Sequence, residues 1–316
     1  MTSVNGTQPH LSLHPTDVSH GNLQPAFARR ARKVSRRLRE DYRQVLRTAA
    51  TTAIHDLRVA TRRAQTLVDL AALSNPSKRA AKIRKRLKLL RHTLGSRRDL
   101  DMILGKLRER AANTASARRR RILHWVIQQM TPEASQITRR MRRATKKTGI
   151  TKLRRLIKKT VGDRRSLETL SAEALNAAMR QAEQKWLRAI NTAKLRKDPA
   201  AYHDVRIKTK TLRYTIESVS RFVEVQRAEA TAEWLKTIQD ELGEWHDEIE
   251  LTRRVTSLLA ENVDFQANDT ATALIKSLRD RAQSNTEYVS RVVMSLRDEW
   301  GRRKAASVAS MDAARQ

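Results

Sequence analysis

An internal repeat constrains the fold of this chain more than any other feature of its sequence. The motif His-Asp-Leu-Arg at 55–58 reappears as His-Asp-Val-Arg at 203–206, an offset of 148 residues. Forty residues after each histidine, a Leu-Gly pair is followed four residues later by aspartate, at 94–99 and again at 242–247. Two motifs in one register, with no gap between them, predict a tandem duplication.

Both halves of the repeat are predicted to be helical. Gly and Pro are scarce, with 8 and 6 in the whole chain, and apolar residues after Pro25 recur with a period near 3.6. The predicted fold class is therefore all-α. We expect helices near 26–49, 53–73, 77–94, 99–112, 116–147 (broken or kinked at Pro132), 166–196, 201–222, 228–242, 247–261 and 270–305, with breaks at Asn75-Pro76, Gly95, Gly162, Asp198-Pro199 and Gly243.

These helices are expected to form one domain over 25–312. Its first half is predicted at 25–165 and its second half at 166–316. Residues 1–24 contain Pro9 and Pro15 and have no periodic apolar pattern, so they are predicted to be a disordered or loosely attached leader.

The repeated motifs place basic side chains in a stripe on one helix of each half, because positions i, i+3 and i+7 share a face. We call these stripes the basic ladders: His55, Arg58 and Arg62 in the first half, and His203, Arg206, Lys210 and Arg213 in the second. Like charges at this spacing cost a few tenths of a kcal/mol per pair. An arginine-rich helix is often only a solvated outer face, but here both halves keep the unfavourable stripe beside apolar positions. The ladders therefore predict an anion between them.

The Leu-Gly-x-x-x-Asp motifs predict a helix end followed by a new helix. Gly95 and Gly243 are expected to supply a left-handed residue at a C-terminus, and Asp99 and Asp247 a carboxylate at the next N-terminus. A second role for the aspartates is to orient a nearby ligand-binding arginine. The sequence leaves both roles open.

The charge balance indicates a polyanionic partner. The chain has 66 Lys and Arg against 33 Asp and Glu, a formal net charge of +33, which suits nucleic acid, an acidic membrane surface or a phosphate polymer. The densest basic runs lie within 117–165 and are expected to form a solvated surface of low specificity.

Several kinds of site are excluded or disfavoured by composition. The chain has no cysteine, which excludes disulfides and thiol chemistry. It has neither a P-loop nor an HExxH motif, so we predict no catalytic residue, no metal and no cofactor. No apolar run approaches about 18 residues, so no membrane span is expected, and the absence of a signal peptide predicts a cytoplasmic protein. No oligomeric state is specified.

The repeated motifs together resemble one known family. The segments IHDLRVATRRAQTLVDL (54–70), LGSRRDLDMIL (94–104), YHDVRIKTKTLRYTIE (202–217) and LGEWHDEIEL (242–251) are similar to the CHAD domain, the conserved-histidine α-helical domain. The resemblance implies two helical bundles with pseudo-twofold symmetry around a basic central cavity that binds inorganic polyphosphate. Stand-alone members are similar to phosins, proteins of polyphosphate granules, which implies a granule location.

Carried over by position, the resemblance implies a set of polyphosphate-binding side chains: His55, Arg58, Arg62, Arg63, Lys88, His203, Arg206, Lys210, Arg213 and Lys236. Arg63 is matched by Thr211 and Thr66 by Tyr214, so the two walls of the cavity cannot be equivalent. The CYTH domain that often accompanies this family is not visible.

Two alternatives to polyphosphate binding remain. The basic pI also suits a nucleic-acid-binding protein, although aromatic residues, which single-strand binders use for stacking, make up only 4% of the chain. Weak, salt-sensitive nucleic-acid binding through 117–165 is expected in either case. A phosphatase or kinase would need a metal or nucleophile that the sequence does not supply.

Overall fold

The computed structural model describes residues 20–73, 77–162, 170–222 and 227–313, with side chains from residue 23 to residue 305. Its helices, in chain order, are α1 (His20–Thr48), α2 (Thr51–Ala71), α3 (Lys78–Asn113), α4 (Ala117–Thr148), α5 (Ile150–Val161), α6 (Ala172–Arg196), α7 (Pro199–Val219), α8 (Ala228–Ala260), α9 (Val263–Gln266) and α10 (Asp269–Ala313). The described ranges contain no strand, so the all-α prediction is confirmed. None of these helices is long and apolar enough to cross a membrane.

The 148-residue spacing recurs in the helix boundaries. α1 and α6 are each followed by a non-glycine residue in the left-handed region, Ala49 with φ 51° and Lys197 with φ 52°. α2 and α7 then begin and end 148 residues apart at both ends. α7 has the stronger start, since Asp198 accepts a hydrogen bond from the Ala201 amide at 2.7 Å and Pro199 opens the helix.

The predicted helix ends at Gly95 and Gly243 are wrong. α3 and α8 are continuous helices of 36 and 33 residues that pass through these glycines. Neither glycine has a positive φ, and Asp99 and Asp247 consequently lie inside helices rather than at N-termini. The glycines instead allow close packing between helices, as described below. Local helix propensity does not reveal a requirement of this kind.

Other boundaries differ in smaller ways. α1 begins at His20, so residues 20–24 are helical and not part of a leader, while residues 1–19 lie outside the described residues. α4 continues through Pro132 without a break. The short α5 was not predicted; it is separated from α4 by Gly149, which has φ 65°.

The remaining predicted breaks are of two kinds. Those at Gly162 and at Asp198-Pro199 are correct, because α5 ends at Val161 and α7 begins at Pro199. Asn75-Pro76 lies outside the described residues, as does the start of the predicted helix 166–196 up to residue 169.

Two hydrophobic clusters hold the helices together, and each combines residues from both halves of the chain. The first joins α1, α2, α5, α6 and α7 with the N-terminal parts of α3 and α8 and the C-terminal part of α10. The second joins the C-terminal parts of α3 and α8 with the N-terminal parts of α4 and α10. On α3, Leu94 belongs to the first cluster and Leu100 to the second. The motif Gly95–Asp99 therefore lies where the two clusters meet.

Candidate functional site

The two basic ladders lie beside each other. α2 packs against α7, and charges on the two helices act on one another. After the larger effect of burial, Arg62 lowers the pKa of Arg206, and Arg62 and Arg58 lower that of Lys210. Arg98 of α3 lies close enough to lower the pKa values of Arg58 and Arg206, after the larger effect of burial. We call Arg58, Arg62, Arg98, Arg206 and Lys210 the basic cluster.

Most of the basic cluster is unpaired. Within the described residues, the side chains of Arg62, Arg98, Arg206 and Lys210 have no hydrogen-bond or ion-pair partner, and the Nε of Arg206 is buried without one. Arg58 is held by one hydrogen bond, from its Nη1 to the Arg91 carbonyl at 2.9 Å. Half-buried charges of one sign without partners are costly, so the protein alone leaves this site electrostatically incomplete.

Lys210 shows the size of this electrostatic cost. Burial, followed by the guanidinium groups of Arg206 and Arg62, lowers its pKa from 10.5 to about 6. The side-chain amine of Lys210 is therefore mostly unprotonated and neutral at pH 7. Nearby, burial, followed by Arg62 and Arg58, lowers the pKa of Arg91 to about 10.

Two carboxylates accompany the cluster, one for each half. Burial raises the pKa of Asp99, and Arg58 opposes this rise. Burial also opposes ionisation of Asp247, but the nearby His246 and Arg206 hold its pKa below the ordinary value. The His246 Nδ1 is 3.7 Å from the Asp247 carboxylate, too far for a hydrogen bond. Of the two roles that the sequence left open, the geometry favours carboxylates placed beside arginines.

Gly95 and Gly243 give the arginines room to cross the neighbouring helix. A Cβ at Gly95 would lie 3.3 Å from Nη1 of Arg58, and a Cβ at Gly243 would lie 3.9 Å from Nε and Nη2 of Arg206. The first distance is tighter than ordinary van der Waals contact and the second is not. The closer approach is on the side where Arg58 reaches the α3 backbone.

This difference predicts opposite outcomes for two alanine substitutions. Ala in a helix interior is favoured over Gly by about 0.5–1 kcal/mol. We expect Gly243→Ala to raise the melting temperature and leave anion affinity unchanged, whereas Gly95→Ala displaces Arg58 and weakens binding several-fold. Thermal melts and ligand titrations on both variants check this, and equal affinities would contradict the role assigned to Gly95.

The two ladder histidines lie at the edge of the cluster as neutral groups. Burial and then Arg98 lower the pKa of His55, and burial and then His246 lower that of His203. The rings of His203 and His246 have centroids 4.9 Å apart. His55 is nevertheless accessible to solvent.

The other residues implied by the resemblance are not part of the unpaired cluster. Arg213 makes an ion pair with Glu217 at 2.5 Å and lies over the Tyr214 ring. Lys236 is exposed and pairs with Glu233 at 2.9 Å.

Arg63 and Lys88 also lie apart from the cluster. Arg63 lines a separate groove between α1 and α2. Lys88 is exposed on α3, one helical turn before Arg91.

Two arginines, Arg98 in the cluster and Arg91 beside it, were not identified from the repeat because their counterparts differ. Arg91 corresponds to Gln239, and Arg98 corresponds to His246. Arg91 donates to the Gln65 side chain, and in the other half Arg213 donates to Gln239 at 3.2 Å. Because residue 65 corresponds to residue 213, the same Arg–Gln pair occurs twice with donor and acceptor exchanged. This exchange is the sequence signal that could have identified Arg91.

The chain and its fold are similar to known proteins. The family model for the CHAD domain matches residues 29–256, more than half of the chain. The crystal structure of the CHAD domain from the plant Ricinus communis is similar at 17% sequence identity, with a TM-score of 0.64, over 93% of this chain and 98% of that one. No curated protein matches the chain. Through the family-model match, this chain belongs to the CHAD domain family.

Proposed function

We propose that this protein binds inorganic polyphosphate at the basic cluster formed by α2, α3 and α7. The observation that carries the proposal is the set of four basic side chains without partners: Arg62, Arg98, Arg206 and Lys210. A phosphate polymer supplies the missing acceptors, and charge-assisted hydrogen bonds from arginine to phosphate are among the strongest that proteins form. The CHAD family is associated with polyphosphate binding in general.

A polymer without bases suits this site better than a nucleic acid. The side chains that define the cluster are four arginines and a lysine, and the aromatic Tyr214 beside them is buried and covered by Arg213. Sequence-tolerant binding of single strands normally adds stacking of bases on exposed rings. The five side chains of the cluster offer charge for phosphates and no aromatic ring for bases.

The same proposal includes the architecture around the site, a tandem duplication with pseudo-twofold symmetry and a central basic cavity. Three observations support the duplication: the identical spacing of the α2 and α7 boundaries, the left-handed residues Ala49 and Lys197, and the exchanged Arg–Gln pair. The two walls differ in chemistry, since Tyr214 and Thr211 stand where the first half has Thr66 and Arg63.

We also propose that the protein binds without turnover and is attached to polyphosphate granules in the cytoplasm. The ladder histidines are held neutral next to arginines, which suits hydrogen bonding to phosphate more than acid catalysis. Among the described residues, no three His, Asp or Glu side chains are grouped as metal ligands.

Competition between two polyanions tests this function. We expect long-chain polyphosphate to displace labelled duplex DNA from the purified protein at physiological salt, and excess DNA not to displace labelled polyphosphate. The physical reason is that DNA binding through an outer basic surface is weakened by salt, whereas half-buried cations are screened less. Displacement of polyphosphate by an equal phosphate concentration of DNA would favour the nucleic-acid alternative.

A further inference from the structure

The net positive charge of this protein comes almost entirely from one half of the chain. Residues 25–165 contain 42 Lys and Arg against 9 Asp and Glu, while residues 166–316 contain 24 against 23. The excess is most extreme at 134–162, where 11 Lys and Arg occur without a single carboxylate. The basic cluster draws on both halves of the chain and does not account for this asymmetry.

A groove between α1 and α5 gathers part of this charge, and we call it the outer groove. It encloses about 810 Å³, and its floor contains the aliphatic side chains of Ala31, Ile157 and Val161. Six cations line it, with no Asp or Glu among the lining residues: Arg32, Arg36, Arg154, Arg155, Lys158 and Lys159. It shares no residue with the basic cluster.

One of these cations is held in a fixed orientation. The Nε of Arg154 donates to the Ser35 carbonyl at 3.0 Å and to the Ser35 hydroxyl at 3.2 Å. Within the described residues its two Nη groups have no partner. The guanidinium is thus anchored from behind by α1 while four N–H donors remain free, which is the geometry that suits bidentate contact with phosphate.

The adjacent groove between α1 and α2 shows that the outer groove is not simply typical of a basic surface. Its arginines and lysine are accompanied by Glu40, Asp41 and Asp56. Arg37 connects two of these carboxylates, at 2.9 Å from Asp41 and 3.1 Å from Asp56. That groove neutralises much of its own charge, whereas the outer groove contains no counter-charge.

We propose that the outer groove is a second binding site for a phosphate polymer, separate from the basic cluster. Its lining contains no aromatic side chain on which a base could stack, so a polymer of phosphates alone fits it better than a single-stranded nucleic acid. With two sites, one molecule holds two segments of polymer and can connect separate chains. The ligand class rests on the proposed function, but the site itself does not.

Stoichiometry with short-chain polyphosphate tests this proposal. By titration calorimetry at low salt, we expect two sites on the wild-type protein and one site on the quadruple variant R32A/R155A/K158A/K159A. These four side chains are exposed and have no partners among the described residues, so the thermal melt is expected to stay within a few degrees of the wild type. Arg154 is kept because its bonds to Ser35 connect α1 and α5.

A matched control removes the same charge from the same basic region. The variant R139A/R140A/R143A/K147A changes four exposed cations of α4 that do not line the outer groove, and it is expected to keep two sites. Two sites on the groove variant, or equal loss in both variants, would overturn the proposal. Stronger competition by duplex DNA than by polyphosphate for the groove would overturn its ligand class.

A variant of the basic cluster separates this inference from the proposed function. If R58A/R62A/R206A/K210A retains one site and loses the other, both proposals hold. If it retains two sites, the proposed function fails. Loss of one site on the groove variant would still establish the outer groove.

Discussion

Replacing Arg58, Arg62, Arg206 and Lys210 together by alanine is expected to lower the affinity of the basic cluster for polyphosphate at least about a thousandfold. Each charge-assisted contact contributes about 1.5 kcal/mol or more, and four such losses correspond to roughly four orders of magnitude. Titration with labelled polyphosphate measures the loss. Because these side chains repel one another without ligand, the variant is expected to remain folded.

The salt dependence of binding gives an independent measurement. If about six cations of the cluster region each neutralise one phosphate, the slope of log affinity against log salt is about −4, using single-stranded nucleic acid as the guide. The fourfold substitution leaves two of the six and should flatten the slope to about −1. Affinity and slope should therefore fall together.

Alanine at Arg118–Arg121 is the control for net charge. Both variants lower the formal net charge from +33 to +29, but these four arginines lie in the first turns of α4, apart from the cluster. Their contacts are peripheral, such as that of Arg119 with Ser277. We expect slower association and a modest loss of affinity. Equal losses in both variants would mean that total charge, and not the repeated ladders, determines binding.

Binding of polyphosphate is also expected to take up a proton near neutral pH. Lys210 has a pKa of about 6 in the free protein, and a bound polyanion stabilises its charged form and raises that pKa. Affinity should thus be highest below about pH 6 and fall by up to about tenfold per pH unit above it, until the pKa of the complex is reached. Calorimetry in buffers of different ionisation enthalpy should show proton uptake approaching one per bound site at pH 7.5.

Lys210→Arg separates this effect from other titrations. Arginine stays charged across the range, so the variant should bind with little pH dependence, and any remaining slope reports on the histidines or on the polymer ends. If the affinity of Lys210→Arg depended on pH as steeply as that of the wild type, the assignment of the pH dependence to Lys210 would be contradicted.

The stability of the ligand-free protein should change in the opposite direction. Between about pH 6 and 10.5 the unfolded chain binds a proton at Lys210 that the folded chain lacks. The free energy of unfolding contributed by this group therefore rises with pH across that window.

Sequence-based prediction was most successful where the residues of a pattern all lie on one helix. The register of the two ladders follows from i, i+3 and i+7 spacing within α2 and α7, and the helical fold follows from periodicity and the scarcity of Gly and Pro. Gly95 was misjudged because its role depends on Arg58, which comes from another helix and occupies the space of a side chain. The low pKa of Lys210 could not be predicted for the same reason, since it depends on burial and on arginines brought close by packing.

The composition of the two hydrophobic clusters limits how this protein can be divided or recombined. Each cluster takes residues from both sides of the repeat boundary, so separating the chain near residue 165 would expose apolar surface on both fragments at once. Although the halves resemble each other in sequence, neither is an autonomous building block, and gene rearrangements that preserve function have to transfer the pair. Fusion of another domain before α1 or after α10 leaves both clusters intact.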